Sequence, residues 1–302
     1  MSEIKLEKYS RLKGDKLAIL IIGITIPIIS FIMFWLIPKA NLFLQAFQTL
    51  DYTTGEYVFT LSNFETFFLA LKNPQSSIVE SLTNTLISFV WDVAVKTPLC
   101  FVFSFFIYKK VWGSNFFRWV FFLPSILSGV VVSGFVVSFL GVLGPLPKWI
   151  ELATGIKPMF FQDENYAMKT LLWVHLWSGF GVSLLYYVSA MVRIPEELVE
   201  ASRIDGLSIF GEFFYITIPL VWPTISTLLL LSFTAIWSSD VGSLLYTQGQ
   251  AGTSTLNYWI YSNTVSGDYN YVSAVGLFFT GISVPIIILV RWLTGKMETA
   301  EY

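Results

Sequence analysis

Five stretches of this chain run for more than twenty residues without a charged side chain: 17–37, 119–140, 170–192, 213–239 and 269–290. In hydrocarbon every backbone N–H and C=O must be bonded within the protein, and a core of about 30 Å is crossed by roughly 20 apolar residues in a helix. Each stretch is therefore expected to be a membrane span. A sixth, 81–108, is equally long but holds Asp92 and Lys96 near its middle. Composition agrees, because 55% hydrophobic and only 13% charged residues lie outside the range of soluble globular domains. The expected fold is all-α and integral to the membrane, with an N-terminal segment 1–16 and a six-helix membrane domain 17–302.

Basic residues collect before the first run (Lys5, Lys8, Arg11, Lys13, Lys16), after the second (Lys109, Lys110, Arg118) and after the sixth (Arg291, Lys296). The positive-inside rule then puts both termini in the cytoplasm. The first run is too long for a signal peptide and lacks a small-residue cleavage site, so it is expected to be retained. The polar stretch from Ser2 to Lys16 is expected on the membrane surface. The lone Cys100 forms no intramolecular disulfide, and a net charge of -2 offers no basic patch for nucleic acid. The outer segments 38–80 and 141–169 read as loops rich in turn residues. In the first of them, Tyr57, Phe59, Phe64, Phe67 and Phe68 suggest packing on the membrane surface.

Segment 193–219, between the fourth and fifth runs, is acidic and interrupted by glycine. Pro195 suits the first turn of a helix, and Glu196, Glu197 and Glu200 follow where the helix dipole favours acids. Ala201 and Ile204 share a face, Gly206 is suited to turn the chain, and Ile209, Phe210, Phe213 and Phe214 recur at helical spacing. The expectation is helix, turn, helix. Arg193, Glu196, Glu197, Glu200, Arg203, Asp205 and Glu212 give two positive and five negative charges, which suits a protein partner better than an anionic lipid surface.

This segment resembles the EAA loop of membrane subunits of ATP-binding-cassette importers, which has the form E-A-A, three residues, G, nine residues, then I-x-L-P. Glu200-Ala201-Ser202, Gly206, Ile216, Ile218 and Pro219 fill those positions in register, with Ser202 for the second alanine and Ile218 for leucine. Phe121-Phe122-Leu123-Pro124, Asn84-Thr85 and the closing Glu301-Tyr302 are similar to the first of the two permeases in the maltose-type carbohydrate family. The resemblance implies a type I importer permease fold in a bacterial cytoplasmic membrane. It implies docking of an ATPase through Glu200, Ala201, Ser202, Asp205, Gly206 and Pro219. The implied partners are a second homologous permease, two ATP-binding subunits that hold ATP and Mg, an extracellular solute-binding protein, and a sugar or oligosaccharide substrate. No cofactor is expected on this chain, and no enzymatic activity, since no G-x-x-x-x-G-K-[ST] loop occurs.

The resemblance also places substrate against the span before the loop and the span after it. The candidates there are Trp177, Ser178, Gly179 and Ser183, then Ser232, Trp237, Ser238, Ser239 and Asp240. Aromatic faces stack on sugar rings and hydroxyls bond ligand hydroxyls. Asp92 and Lys96 lie four apart and can pair within the membrane; a structural anchor is the favoured reading. His175, the only histidine, is expected to pack or hydrogen-bond, since a metal wants several ligands. Gly181-Val182-Ser183-Leu184 fits the loose G-x-S-x form of intramembrane serine proteases, but His175 lies on the same helix and cannot serve as base. Two other classes fit six spans. One is a gradient-driven secondary transporter, which has no ATPase to dock; the other is a purely structural anchor, which needs no ligand path.

Overall fold

The computed structural model describes residues 14–51 and 53–296. Most of the segment expected on the membrane surface, and Glu301-Tyr302, lie outside the described residues. Six helical stretches are long and apolar enough to cross a membrane: Gly23–Ala46, Ser77–Tyr108, Gly129–Thr154, Ala167–Met191, Ile209–Thr234 and Tyr269–Gly295. The chain divides into two compact units, residues up to 67 with 268–277, and 68–267 with the residues from 278 onward.

In the first unit, α1 (Gly14–Phe31) and α2 (Ile37–Ala46) are joined by a π-helical turn, Ile32–Leu36. The hydrophobic window of this span buries none of its residues within the chain. A hairpin follows, β1 (Gln48–Leu50) antiparallel to β2 (Tyr57–Phe59), with Thr49 opposite Val58. Asn63, at the start of α3 (Ser62–Lys72), donates to the carbonyls of Ala46 at 3.2 Å and Gln48 at 2.9 Å, tying helix to hairpin. The first outer segment is thus built, and not a plain loop. Tyr57 and Phe59 are exposed, whereas Phe67 is fully buried.

The second unit begins with α4 (Ser77–Trp91), a π turn Asp92–Lys96, and α5 (Thr97–Tyr108). The third apolar run is not one helix. It breaks between α6 (Ser114–Ile126) and α7 (Gly129–Leu140), where Leu127 and Ser128 are extended and the Ser128 hydroxyl accepts from Val131 N–H. Serine before a helix satisfies one of its unpaired N–H groups, so a local polar signal overrides a continuous apolar one. Segment 141–169, expected to be a loop, contains α8 (Pro145–Thr154), the end of the stretch Gly129–Thr154. Next come α9 (Ala167–Met191), the short α10 (Glu196–Ile204), α11 (Ile209–Glu212), a π turn Phe213–Thr217 and α12 (Ile218–Thr234). A last π turn (Ser243–Thr247) and α13 (Leu256–Val265) follow, and the part of α14 (Tyr269–Gly295) from residue 278 onward completes it.

Three of the π turns share one cause. Residues 32–36, 92–96 and 213–217 each end two positions before a proline, Pro38, Pro98 and Pro219. Proline supplies no N–H and its ring crowds the carbonyl four residues back. The helix widens by one residue, and the N–H groups of Ile37, Thr97 and Ile218 reach the carbonyls of Ile32, Asp92 and Phe213.

Helix α9 is the axis of the second unit. Leu176, Phe180, Leu184, Tyr187 and Met191 on it pack with Cys100, Phe101 and Phe105 of α5 and Val221 of α12. Against α6 it packs through Gly181, where an added Cβ would lie 2.8 Å from the Phe121 carbonyl oxygen and closer still to the Ser125 hydroxyl. Gly181→Val should therefore destabilise by about 1–3 kcal/mol through overpacking, seen as a lower denaturation midpoint of the purified chain in detergent. Gly134 in α7 has nothing within 4 Å of that position, and Gly134→Ala should be neutral or mildly stabilising. Equal midpoints for the two variants would refute the close crossing.

Candidate functional site

Segment 193–219 forms the helix, turn and helix that its sequence implies. Pro195 sits at the N-cap of α10 with extended backbone, and Glu196 and Glu197 occupy the first turn. Gly206 has φ +81°; Leu207 N–H reaches the Ser202 carbonyl at 2.9 Å and Gly206 N–H the Arg203 carbonyl at 3.1 Å. These two bonds close a Schellman cap, in which a left-handed residue lets the chain leave the helix at no Cβ cost. Glu200, Ala201, Asp205, Gly206 and Pro219 are exposed, as is Ile204, at 86%. Ser202 is a correction. Implied by the resemblance to take part in docking the ATPase, it is buried and donates to the Val199 carbonyl at 2.7 Å.

Glu212 also departs from expectation. Counted among the acids of an exposed loop, it is buried and ion-paired with Lys109, just past the end of α5, with side chains 5% and 14% exposed. Lys109 further lies over the rings of Phe105 and Tyr108. The base of segment 193–219 is thereby fastened to the second span.

Within the spans, Lys96 Nζ lies 3.0 Å from Asp92 Oδ1, the expected pair. The structure adds His175 from α9, whose Nε2 is 3.0 Å from Lys96 Nζ and 3.2 Å from Asp92 Oδ2. Gly179 leaves room for the lysine, since a Cβ there would stand 3.3 Å from Nζ. Asp92 and Lys96 line a cavity of about 240 Å³ together with Ser183, Tyr187, Ser232 and Ser239. His175 lines another, of about 300 Å³, with Ser125, Ser178, Asp240 and Tyr246. Ser232 donates to the Leu228 carbonyl at 3.0 Å, which leaves its oxygen able to accept from a ligand.

Trp177, Trp237 and Ser238 lie outside both cavity linings, whereas Ser239 and Asp240 belong to them. Trp177 packs against the cluster of Val132, Leu172 and Val241. Trp237, Ser238 and Ser239 fall beyond the end of α12 at Thr234. The Trp237 ring lies 4.5 Å from that of Phe279, and its indole N–H is buried with no hydrogen-bond partner among the described residues. The exposed Ser238 hydroxyl returns to the Ala235 carbonyl at 3.2 Å. Asp240 is held by Ser243 N–H at 3.1 Å and the Thr255 hydroxyl at 2.9 Å, which makes it a brace for the turn that follows.

One polar cluster escaped the sequence reading. Asn84 donates to the carbonyls of Gly252 and Ser254, both at 2.9 Å, and the Thr85 hydroxyl accepts from Leu256 N–H at 2.8 Å. Asn84-Thr85 thus clamps the irregular stretch between α12 and α13 to the second span. The pair was visible as a motif; its partners, about 170 residues away, were not.

Residues 97–299 match the family described as binding-protein-dependent transport system inner membrane component. The arabinooligosaccharides transport system permease protein AraP of Bacillus subtilis (strain 168) is 26% identical over 90% of this chain and 87% of its own length. The multiple sugar-binding transport system permease protein MsmF of Streptococcus mutans is 25% identical over 90% of this chain and 94% of its own. A chain in the crystal structure of a bacterial alginate ABC transporter, in complex with its alginate pentasaccharide-bound periplasmic protein, superposes with a TM-score of 0.79 at 21% identity, covering 97% of this chain and 100% of that one. With its six spans, the chain belongs to the family of binding-protein-dependent transport system inner membrane components, and is a multi-pass, non-catalytic permease of a bacterial ABC importer.

Proposed function

We propose that this chain is one permease subunit of an ATP-driven importer for a sugar or oligosaccharide, of the maltose-type family and its first-permease branch, with both termini cytoplasmic. Relatives named for arabinooligosaccharides and multiple sugars support the substrate class. The same reading brings a second homologous permease, two ATPase subunits that hold ATP and Mg, and an extracellular solute-binding protein; the related alginate transporter was solved with a periplasmic protein bound.

The observation that carries the coupling role is α10. It presents Glu200, Ala201 and Ile204 outward and is ended by the Gly206 cap, while Val199 and Ser202 seat it on the core. A short helix with an exposed acid and exposed apolar groups suits a cleft on an ATPase. Closure of two ATPases would push α10, and Pro219 with its π turn would pass the displacement into α12, giving rigid-body alternating access. Ser183, Ser232, Ser239, Ser178 and Asp240, at the two cavities, would line the path, with Trp177, Gly179 and Trp237 shaping its walls.

The test is purification of the chain from gently solubilised native membranes, identification of what accompanies it, and reconstitution in liposomes with labelled neutral oligosaccharide. Co-purification of an ATPase and a second permease is expected, with uptake that requires ATP. Uptake driven by an ion gradient without ATP would establish the secondary-transporter alternative instead.

A further inference from the structure

The Asp92, Lys96 and His175 cluster sits at a point of contact between two spaces. Asp92 and Lys96 line one cavity and His175 the other, and the three are joined by contacts of 3.0–3.2 Å. Their side chains remain 15–20% exposed, so a solute in either space can reach them. Among the described residues, Asp92 and Lys96 are the only charged ones lining the first cavity; the other polar groups there are hydroxyls.

A buried pair placed only to hold helices together would have every donor used, since it repays its desolvation only when its remaining lone pairs and protons are satisfied. Here one donor is left over. The Lys96 ammonium carries three N–H groups and has two partners among the described residues, Asp92 and His175. Ser232 has an oxygen free to accept, and the remaining N–H of Lys96 is free to donate. A wall offering a donor, an acceptor and several hydroxyls at zero net charge matches a neutral polyhydroxylated ligand. In the cavity lined by Asp92 and Lys96, one carboxylate and one ammonium sum to zero, and no further charged group is left to pair with a charged ligand.

We propose that Asp92, Lys96 and His175 form a charge-neutral selectivity element, which admits uncharged saccharides and discriminates against those that carry a carboxylate. This rests on the saccharide-importer reading above. Asp92 is the determining residue, because it cancels a Lys96 charge that would otherwise attract anions. His175, the second neighbour of Lys96, positions the ammonium.

The experiment uses the complete importer reconstituted in liposomes with two probes, a neutral trisaccharide and the same trisaccharide bearing one uronate carboxylate. A unit charge about 10 Å from the ligand carboxylate, at an effective dielectric near 20, alters binding on the order of tenfold. Asp92→Asn is therefore expected to raise the ratio of uronate to neutral uptake by about that factor, and Lys96→Gln to lower it. The exchange Asp92→Lys with Lys96→Asp keeps the sum at zero, should retain wild-type selectivity, and carries the test if a single variant fails to assemble. Equal loss of both uptakes with an unchanged ratio would mean that the cluster only holds helices, and the inference would fall alone. Wild-type importer that carries neither probe would overturn the saccharide reading and the selectivity element with it.

Discussion

Glu200→Lys combined with Gly206→Asp is expected to abolish ATP-driven uptake while the six spans stay folded. Glu200 is exposed on α10 and makes no ion pair among the described residues, so its loss removes nothing the fold relies on. Surface changes of this kind stay within about 0.5 kcal/mol of the parent stability. At a docked interface the same reversal places a cation where an anion was accommodated, a cost of several kcal/mol, or about a hundredfold or more in affinity. Gly206 contributes differently. Its φ of +81° is left-handed, and although no atom lies within 4 Å of where a Cβ would point, aspartate is strained in that backbone conformation and loosens the cap that sets the exit from α10. The readouts are ATPase co-purification, uptake, and the denaturation midpoint of the isolated chain. Full uptake by the double variant would remove α10 from the coupling mechanism; a collapsed midpoint would make it structural.

The spans were legible because lipid leaves the backbone so few options. Any uncharged run of sufficient length must become a helix, and the helix, turn and helix of 193–219 followed from proline, acids and glycine at their usual stations. Hydropathy failed where short polar signals interrupt it. Ser128-Gly129 breaks the third run, and the outer segments taken for loops fold into α3, α8 and a hairpin. Ser202 was misplaced because motif alignment outweighed helical spacing: it stands three residues after Val199, so the two share the inward face. The third member of the Asp92 and Lys96 pair lay 79 residues from Lys96 in sequence, and nothing local to His175 announced it. Three of the π turns were within reach, since each precedes a proline by two residues, but no periodicity of hydrophobic residues signals them.

Lys109→Ala should destabilise the chain by about 3–5 kcal/mol, the usual consequence of leaving one member of a buried ion pair uncompensated. Glu212 is the member left behind. Its side chain is only 5% exposed, and Phe105 and Phe213 pack edge to face nearby at 4.9 Å, so water has little access to replace the ammonium. The paired replacement Lys109→Met with Glu212→Leu removes both charges and fills a similar volume; such exchanges are often neutral or stabilising, and most of the lost stability should return. If Lys109→Ala alone melts like the parent, the pair is solvated and this account of it fails. The informative case is the doubly apolar chain, which keeps the fold but loses the directional tie between the end of α5 and the end of α11. Since α11 leads through the π turn at 213–217 into α12, that tie would, under the proposed coupling role of α10, make the second and fifth spans respond together. Rigid-body motion passes only through elements that cannot slip. The reconstituted double variant is therefore expected to bind its ATPase and hydrolyse ATP while importing less solute per ATP. Parent-like import per ATP would assign the pair to stability alone.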